Sequence, residues 1–396
     1  MTRARLAYVS FDTVPAPKGA ATHIEAFVRS LAEAFGGVDL VTVAAGESIV
    51  PTEERWPGIF HTEIPALGKT LIDRTLCFRR FVAHWLETRR FEAIQFRSIF
   101  EGLPLTELAH GARLIFEVNG LPSIELKYRY PGAEDDRELM RKVIAQEQAC
   151  LDAAHLVITP SGITREYLVS SRGVPAEKVR VIPNGVDVRL FRPSAGLKPK
   201  GSGTGLIYFG TLSAWQGVEL AIRALAQVCS QARATLTVIG AASGRERDAL
   251  LGLAAKLGVV ENIAVLPPVT QAELAGHLGD ADVSLAPLTL NDRNLVQGCC
   301  PLKILESMAA GVPVIASDLP VVRELGEDGE HFLLVKPGSV DQIAEAVLRL
   351  VRESGLAAKI AEQGRAHAVK NYTWKRAGDA LVAAYEEVGI TRSSIA

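Results

Sequence analysis

Short apolar segments alternate with helical patterns along most of the chain, and this alternation constrains the fold more than any other feature. Strands that are separated by helices form parallel sheets, which helices then cover. A chain of 396 residues is too long for one ordinary hydrophobic core. The sequence therefore predicts two α/β domains. The predicted strands lie at 6–9, 38–44, 93–96, 114–118 and 156–159 in the first half, and at 206–209, 236–239, 263–266, 283–286 and 314–316 in the second.

A segment with few apolar residues separates the two halves. Residues 192–205 read RPSAGLKPKGSGTG, and this density of proline, glycine and serine is typical of a linker. The sequence predicts a first domain over 1–191, a hinge over 192–205 and a second domain over 206–372. Ligands of doubly wound sheets bind at the carboxyl ends of the strands. Two such domains that face each other would form a cleft between these edges.

Composition excludes several classes of protein. Apolar residues make up 48% of the chain and charged residues 22%, as in soluble globular proteins. A net charge of -2 argues against nucleic-acid binding, which usually needs a basic excess. The five cysteines have no paired spacing, which favours free thiols in a reducing compartment. Since no apolar run is long enough to span a bilayer and no signal-peptide core precedes the first strand, we expect a cytoplasmic protein.

The most informative stretch is PLKILESMAAGVPVIASDLPVVRE, at residues 301–324. Its pattern is typical of a short helix that ends near Gly311, followed by a buried strand and a turn. Lys303 lies in the first turn of this helix, and Glu306 lies in its middle. Glutamates are mostly solvent-exposed, so a solvated helix position is the simplest interpretation of Glu306 taken alone.

This stretch resembles the donor-binding motif of family 4, a large group of retaining glycosyltransferases with the GT-B fold. In that family a glutamate, seven further residues and a second glutamate precede a small-residue run and G-x-P-V-I-A. The resemblance implies two doubly wound, Rossmann-like α/β domains that face each other across a cleft. Glu306 is the second glutamate, which is expected to accept hydrogen bonds from the ribose hydroxyls of a nucleotide sugar. Gly298 occupies the first position, so that half of the motif is missing.

The resemblance also assigns positions in the first domain. Gly19 and Ala20 stand where relatives carry a Gly-Gly pair against the donor diphosphate. A loop that leads into a helix offers free backbone N–H groups to an anion, although an ordinary turn would have the same sequence. Asn119 stands where several relatives have a histidine near the reacting sugar carbon. Because asparagine does not take a proton, the resemblance implies that Asn119 positions the sugar; an Asn-Gly turn is the alternative.

Two cations of the family are absent from the second domain. Relatives clamp the donor phosphates with an arginine and a lysine, and Thr211 and Gln216 occupy these two positions. Charge-assisted hydrogen bonds are about twice as strong as neutral ones, so another cation must stabilise the leaving group. Lys303, at a helix N-terminus, is the first candidate, and Arg293 is the second.

The remaining implied positions complete the predicted site. Lys303 and Asn119 are the predicted catalytic residues. The donor-binding set implied by the resemblance consists of Gly19, Ala20, Gly210, Thr211, Gln216, Pro268, Val269, Arg293, Leu302, Lys303, Ile304 and Glu306. Within it, Pro268 and Val269 would lie at the edge of the base. The resemblance further implies that the last stretch, 373–396, forms a helix that crosses back to the first domain.

Residues 69–91 combine five arginines with a helical stripe of Phe78, Phe81, Val82 and Trp85. An amphipathic helix with its apolar side in the core would explain this pattern. The alternative is a surface that rests on anionic lipid, as in similar enzymes that glycosylate lipid-linked acceptors. In that case the protein would be peripheral at the inner membrane face.

Two functions from different classes fit these observations. The first is a retaining glycosyltransferase that moves a sugar from a nucleotide-sugar donor to an acceptor hydroxyl, in glycan, glycolipid or glycoside biosynthesis. It needs no cofactor, and because GT-B enzymes seldom use a divalent cation, no metal is expected; the acceptor is left open. The second is a non-catalytic GT-B protein that binds a nucleotide sugar or supports a partner, which the missing cations favour. An epimerase or phosphorylase on the same fold is a third interpretation.

Overall fold

The structure, a computed structural model, describes residues 6–194, 203–241 and 243–392. The first half forms an eight-stranded sheet with helices on both faces. Its strands are β1 (Leu6–Val9), β2 (Val38–Val43), β3 (Val50–Trp56), β4 (Ile59–Ile64), β5 (Ala93–Phe96), β6 (Arg113–Glu117), β7 (Leu156–Thr159) and β8 (Val179–Val181). Its helices are α1 (Gly19–Phe35), α2 (Leu71–Glu87), α3 (Ile99–Leu108), α4 (Pro122–Arg129), α5 (Arg137–Ala153) and α6 (Gly162–Arg172).

The second half forms a six-stranded sheet. Its strands are β9 (Thr204–Phe209), β10 (Ala234–Ile239), β11 (Ile263–Leu266), β12 (Val283–Ala286), β13 (Val314–Ser317) and β14 (Leu333–Val335). The helices that follow β9 are α7 (Val218–Cys229), α8 (Gly244–Lys256), α9 (Gln271–Gly279), α10 (Leu302–Ala309), α11 (Pro320–Arg323), α12 (Val340–Arg352), α13 (Ser354–Asn371) and α14 (Trp374–Glu387).

Both sheets have the order of doubly wound α/β folds. The first runs β3-β4-β2-β1-β5-β6-β7-β8, and its strands are parallel except where β3 pairs with β4. The second runs β11-β10-β9-β12-β13-β14 and is parallel throughout. The predicted fold class, two Rossmann-like α/β units, is therefore confirmed.

Every predicted strand is present, with ends that differ by up to two residues, but four further strands had no clear signal. β3 carries three consecutive charged residues, Glu53 to Arg55, because it lies at the sheet edge with most of its side chains in solvent. β8 and β14 contain three residues each, which is too short for a pattern to be recognised. β4, with a buried histidine at position 61, departs from a plain apolar run.

Part of the predicted hinge lies outside the described residues. Of the segment 192–205, residues 195–202 are not among those that the structure describes, and β9 already begins at Thr204. The first sheet ends at β8, before this segment, and the second sheet begins with β9.

The last helix, α14, packs against the first half of the molecule. Leu381 and Tyr385 are fully buried there, in the same core cluster as Phe27 and Phe35 of α1. The Tyr385 ring lies 5.6 Å from the Phe35 ring, and its hydroxyl donates a 2.6 Å hydrogen bond to Gln95 Oε1 in β5. This helix therefore joins the two ends of the chain in one hydrophobic core.

Helix α2, within the predicted basic segment 69–91, is amphipathic. Thr70 and Asp73 form a capping box that begins it, which satisfies two backbone N–H groups at its N-terminus. Phe78, Val82 and Trp85 are buried in the core, as the core-facing interpretation of this stripe predicts. Among the described helices, none combines the length and the apolar character needed to cross a membrane.

Candidate donor site between the two sheets

The carboxyl edges of the two sheets meet where α1 and α10 begin. Gly19 opens α1 after the loop that follows β1, and Leu302 opens α10. A Cβ atom on Gly19 would lie 3.0 Å from Leu302 Cδ1, so the first residues of the two helices are in close contact. Neither N-terminus has a side-chain cap, and Ala20 is the second residue of α1. The backbone N–H groups of both first turns are thus close to the same cleft.

Lys303 is a buried amine without a hydrogen-bond acceptor among the described residues. Its side chain is 7% exposed, and its Nζ lies 4.1 Å from the centre of the Tyr208 ring. A Cβ on Gly210, at the end of β9, would lie 3.6 Å from the same Nζ. Burial lowers the pKa of Lys303 to about 7, although the charge of Glu306 opposes this shift. An amine in this state favours binding of an anion, which would supply the missing partner.

Glu306 lies one helical turn after Lys303, on the same face of α10. It is 5% exposed, so the interpretation as a solvated helix position is wrong. Burial raises its pKa to about 7, against the opposing effects of a hydrogen bond from Gln271 and the charge of Lys303. A buried carboxylate with accepting capacity is suited to hydroxyl donors of a ligand.

The loop after β9 brings the other predicted phosphate positions to this amine. Gly210 has a φ of 118°, and Thr211 follows it with its carbonyl oxygen accepting a 2.9 Å hydrogen bond from Tyr208. Thr211 itself is exposed at the cleft. Gln216 ends a short turn at Ala214–Gln216, and its buried Oε1 has no hydrogen-bond donor among the described residues. Of the two replacements for the family cations, Thr211 thus directly follows the glycine that lies beside Lys303.

The predicted base-contacting residues and Ile304 differ in their accessibility. Pro268 and Val269 follow β11 at the carboxyl edge of the second sheet, and both are at least partly exposed. Ile304 is 0% exposed and packs in the core beneath α10. Ile304 could therefore contact a donor only through its backbone. Leu302, in contrast, has a partly exposed side chain at the cleft.

Arg293, the second candidate cation, is engaged in an ion pair between the two halves of the molecule. Its Nε lies 2.9 Å from Glu125 Oε1 in α4, and its guanidinium stacks 5.1 Å from the Trp215 ring centre. Gln297 donates to the same Glu125 oxygen at 2.9 Å. Because Glu125 already neutralises Arg293, Lys303 is the better candidate for the phosphate role.

The segment around Arg293 fixes the cleft by further contacts with α4. Asp292 accepts hydrogen bonds from Lys127 Nζ and from the Tyr128 hydroxyl, each 2.6 Å long. Gln297 Oε1 accepts a 2.9 Å hydrogen bond from the Leu121 backbone. At the N-terminus of α6, the carboxylate of Glu324 accepts hydrogen bonds from the first backbone N–H groups of that helix at 3.0 and 3.2 Å. The two halves are thus held by directed polar contacts at two places.

Gly298 explains why the first glutamate of the family motif is missing. Its φ of 82° and ψ of 166° are accessible to almost no residue but glycine. A Cβ atom here would lie 2.6 Å from Ser161 Oγ and 2.8 Å from the Thr164 backbone nitrogen of α6. The backbone of Gly298 lies so close to α6 that any larger side chain at this position would clash with that helix.

Asn119 follows β6 and is hydrogen-bonded to the carboxylate of Glu117, which the sequence did not predict as a site residue. Its Nδ2 donates to Glu117 Oε1. Glu117 is 1% exposed and also accepts from the Tyr8 hydroxyl at 2.6 Å, from Gln95 Nε2 at 2.5 Å and from Arg97 Nε at 3.0 Å. The one available signal was a glutamate inside the otherwise apolar strand LIFEV.

A second set of missed residues connects this carboxylate to α10. His23 Nε2 lies 2.8 Å from Glu117 Oε1, an ion-pair distance although the ring N–H is poorly aligned for a hydrogen bond. His23 Nδ1 lies 2.7 Å from Asn184 Oδ1, and Asn184 Nδ2 donates a 2.7 Å hydrogen bond to the Cys300 carbonyl. Asn184 belongs to the segment PNGVD, whose residue chemistry is that of a tight turn.

Proteins of known structure share this architecture. Sucrose-phosphate synthase from Thermosynechococcus elongatus has a TM-score of 0.80 at 21% sequence identity, over 98% of this chain and 99% of that one. Anabaena HepE, solved in complex with UDP-glucose, has a TM-score of 0.74 at 17% identity, over 96% of this chain and 99% of that one. These similarities establish the GT-B fold.

We expect that Gly298→Glu, which restores the family glutamate, will destabilise the protein rather than improve it. The strained backbone alone should cost about 1–3 kcal/mol, and the side chain would also displace Ser161 and Thr164. Urea unfolding measures the loss. Gly252→Glu is the matched control, since Gly252 lies within α8 with open space around it. A stable Gly298→Glu protein would mean that this segment is free to move away from α6.

Sequence relatives and family models agree with this architecture. A D-inositol 3-phosphate glycosyltransferase from Geodermatophilus obscurus is 28% identical over 384 residues, which cover 90% of this chain and 82% of that protein. The model described as Glycosyltransferase Family 4 matches residues 17–190, and the model described as Glycosyl transferases group 1 matches residues 203–353. The first match contains Gly19, Glu117 and Asn119, and the second contains Lys303 and Glu306. The chain belongs to glycosyltransferase family 4 and is a glycosyltransferase that uses a nucleotide-sugar donor.

Proposed function

We propose that this enzyme transfers a sugar with retention from a UDP-sugar to an acceptor hydroxyl, with Lys303 at the diphosphate and Glu306 at the ribose. The observation that carries the proposal is the pair of buried, oppositely ionisable groups on one face of α10, beside the N-terminus of α1. The assignment of UDP is supported by Anabaena HepE, a protein of the same fold that was solved with UDP-glucose. Lys303 and Glu306 lie one turn apart on α10, so we assign them to two neighbouring parts of one nucleotide.

In the proposed reaction, the bond between the anomeric carbon and the diphosphate oxygen breaks while the acceptor oxygen bonds to the same face of the sugar. Negative charge develops on the leaving diphosphate, so its electrostatic stabilisation is the main task of the protein. Lys303, charged when an anion is bound, and the N-terminal N–H groups of α10 supply it. The leaving phosphate oxygen takes the proton of the acceptor hydroxyl, which leaves UDP and the glycoside as products.

We also propose that the reaction needs no metal ion. The diphosphate charge would be met by Lys303 and by backbone N–H groups, without a bridging cation. Turnover should therefore be unchanged after treatment with a chelator.

Donor hydrolysis and transfer assays with UDP-, GDP- and ADP-sugars test the proposal directly. Lys303→Ala should lower turnover at least about ten-fold, or about 1.4 kcal/mol of barrier. Glu306→Ala should weaken UDP-sugar binding by roughly 1.5–3 kcal/mol, the value of a hydrogen bond to a charged group. Lys256→Ala and Glu345→Ala change exposed residues of the same types and should have no effect. Full turnover by Lys303→Ala would assign the phosphate role to another residue, and transfer with inversion would refute the retaining assignment.

Proton exchange on donor binding should reverse its direction between about pH 6 and about pH 8. Near pH 8 the amine of Lys303, whose pKa is about 7, is mostly neutral, so binding of the diphosphate should take up a proton. Near pH 6 the carboxyl of Glu306, whose pKa is also about 7, is mostly protonated, so ribose hydroxyls that donate to it should expel a proton. UDP-glucose suits the experiment because its diphosphate has no proton that titrates in this range.

Calorimetry in buffers of different ionisation enthalpy measures this exchange. Lys303→Met should abolish the uptake near pH 8 and keep the release near pH 6, and Glu306→Gln should do the converse. The absence of net proton exchange at both pH values would contradict the assignment of these two residues to the donor.

We further propose peripheral contact with an anionic bilayer through α2. Three apolar side chains, Leu67, Ile72 and Leu76, are 42%, 56% and 45% exposed on one surface. Leu67 and Leu76 line a groove of about 520 Å³, at whose border the exposed Arg80 lies. Exposed apolar residues with a neighbouring cation are typical of a surface that rests on lipid headgroups.

The arginines of this segment do not all belong to that surface. Arg79 donates hydrogen bonds to the Ile99 and Phe100 carbonyls, and Arg89 donates one to the Trp85 carbonyl. Both side chains are therefore hydrogen-bonded within the first half of the molecule. Arg74 donates to the Ala66 carbonyl, and Arg90 to the last carbonyls of α2. Arg80 and Lys69 are exposed and have no such hydrogen bond to another described residue, so they are the cations of this segment most free to contact lipid headgroups.

Sedimentation with vesicles tests this contact. The protein should sediment with vesicles that contain anionic phosphatidylglycerol and much less with pure phosphatidylcholine, because the attraction is partly electrostatic. Ile72→Glu combined with Leu76→Glu should abolish the binding. Val351→Glu, which alters an apolar residue that is 42% exposed on α12, should leave it unchanged. Equal sedimentation of all variants would contradict a role for α2.

A further inference from the structure

The orientation of the Asn119 side chain follows from the chemistry of Glu117. An ionised carboxylate accepts hydrogen bonds and donates none. Asn119 therefore has to turn its amide nitrogen toward Glu117 Oε1, which is the orientation observed. Its carbonyl oxygen, Oδ1, then points away from Glu117. None of the described residues donates a hydrogen bond to this oxygen, and Asn119 is partly exposed at the carboxyl edge of the first sheet.

The surroundings of Glu117 keep it ionised. Burial alone would raise the pKa of Glu117, but the charges of His23 and Arg97 and the hydrogen bonds that it accepts hold that pKa well below its usual range. The ionisable groups that face it are Tyr8 from β1, His23 from α1, Arg97, which follows β5, and Tyr385 from α14. Arg97 in turn pairs with Asp12 at 2.7 Å. Glu117 thus remains an ionised hydrogen-bond acceptor at the pH values used in the test below.

We propose that Glu117 is a positioning residue for the transfer step, which fixes Asn119 so that its side-chain carbonyl accepts a hydrogen bond from a hydroxyl of the transferred sugar. This role rests on the proposed function, since it needs a sugar at the edge of the first sheet. It assigns to Asn119 a single orientation, in which the residue is an acceptor toward the substrate and a donor toward the protein.

The same carboxylate is connected to the opposite side of the site. From Glu117 the contacts pass through His23 and Asn184 to the carbonyl of Cys300. Cys300 precedes Lys303 by three residues, and only Pro301 separates it from the start of α10. Glu117 is therefore a common anchor for the residue at the sugar and for the helix at the diphosphate. Because a change at Glu117 would disturb both, a change at Asn119 is the more selective test.

Asn119→Asp tests the orientation, because aspartic acid is isosteric with asparagine and its hydrogen bonding depends on pH. Near pH 8.5 two carboxylates would face each other, and turnover should be at least about ten-fold below that of the wild type. Near pH 5.5 the pKa of Asp, raised by the neighbouring Glu117, should leave it protonated. It would then donate its O–H to Glu117 and present its C=O to the sugar, as Asn119 does. The ratio of wild-type to variant turnover should therefore fall as the pH falls.

Two controls separate this role from a structural one. Asn119→Leu has a similar size but no hydrogen bonds, so it should lose turnover at every pH with little change in the donor KM. Asn262→Asp alters an amide that donates to the Ala234 carbonyl in the second sheet, and its effect should not depend on the pH in this way. Thermal unfolding of each variant, recorded at both pH values, shows whether it is folded.

The outcomes distinguish this proposal from the one on which it rests. A ratio for Asn119→Asp that does not change with pH, or full turnover by Asn119→Leu, would overturn the positioning role while the wild type still transfers sugar. If the wild type transfers no sugar from any nucleotide sugar, the proposed function fails first, and the role of Glu117 fails with it.

Discussion

The burial of Lys303 without a paired carboxylate is the electrostatic constraint around which this cleft is arranged. Removing a charged amine from water costs several kcal/mol unless it is paired, and contact with the face of Tyr208 offsets about 0.5–2 kcal/mol of this. Since the folded-state pKa is about 7 and lies below that of a free lysine, the unfolded chain binds more protons between these two values. This position therefore destabilises the folded state most at low pH, and an anionic ligand would remove that cost. Such an arrangement is typical of binding sites rather than of structural cores.

Arg293, the second candidate cation, differs from Lys303 because it has a carboxylate partner. Glu125 neutralises Arg293, and together with the contacts of Asp292 and Gln297 this ion pair holds α4 against the second half. This structural use depends on Gly298, whose backbone packs directly on α6. The missing first glutamate and the unavailable Arg293 are thus two consequences of one local structure, in which the segment 292–298 serves as an interdomain contact.

The sequence predicted those features that are local along the chain. Buried parallel strands were recognisable because both of their faces are apolar, while β3 was not, since its charged residues are tolerated only at a sheet edge. Lys303 and Glu306 could be proposed as site residues from the sequence because their spacing and the glycine after them form a contiguous motif. Glu117, His23 and Asn184 could not be identified in this way, because His23 and Asn184 are 161 positions apart and no local pattern predicts such a contact. The pairing of Arg293 with Glu125, 168 positions away, was hidden for the same reason.

The charges of the two halves suggest how the enzyme functions without the family's arginine and lysine clamp. In the first half, Arg97 pairs with both Glu117 and Asp12, so its charge is neutralised within this network and is not offered to the cleft. In the proposed site, the positive potential on the donor side comes from Lys303 and from the N-termini of α1 and α10, each N-terminus contributing about 0.3–1 kcal/mol and up to about 2 kcal/mol when partly buried. Helix N-termini act over a single turn, so this compensation works only if both helices begin at the same point. The close approach of Gly19 and Leu302 provides that geometry. The contacts from Glu117 through His23 and Asn184 to Cys300 connect the start of α10 to the first sheet.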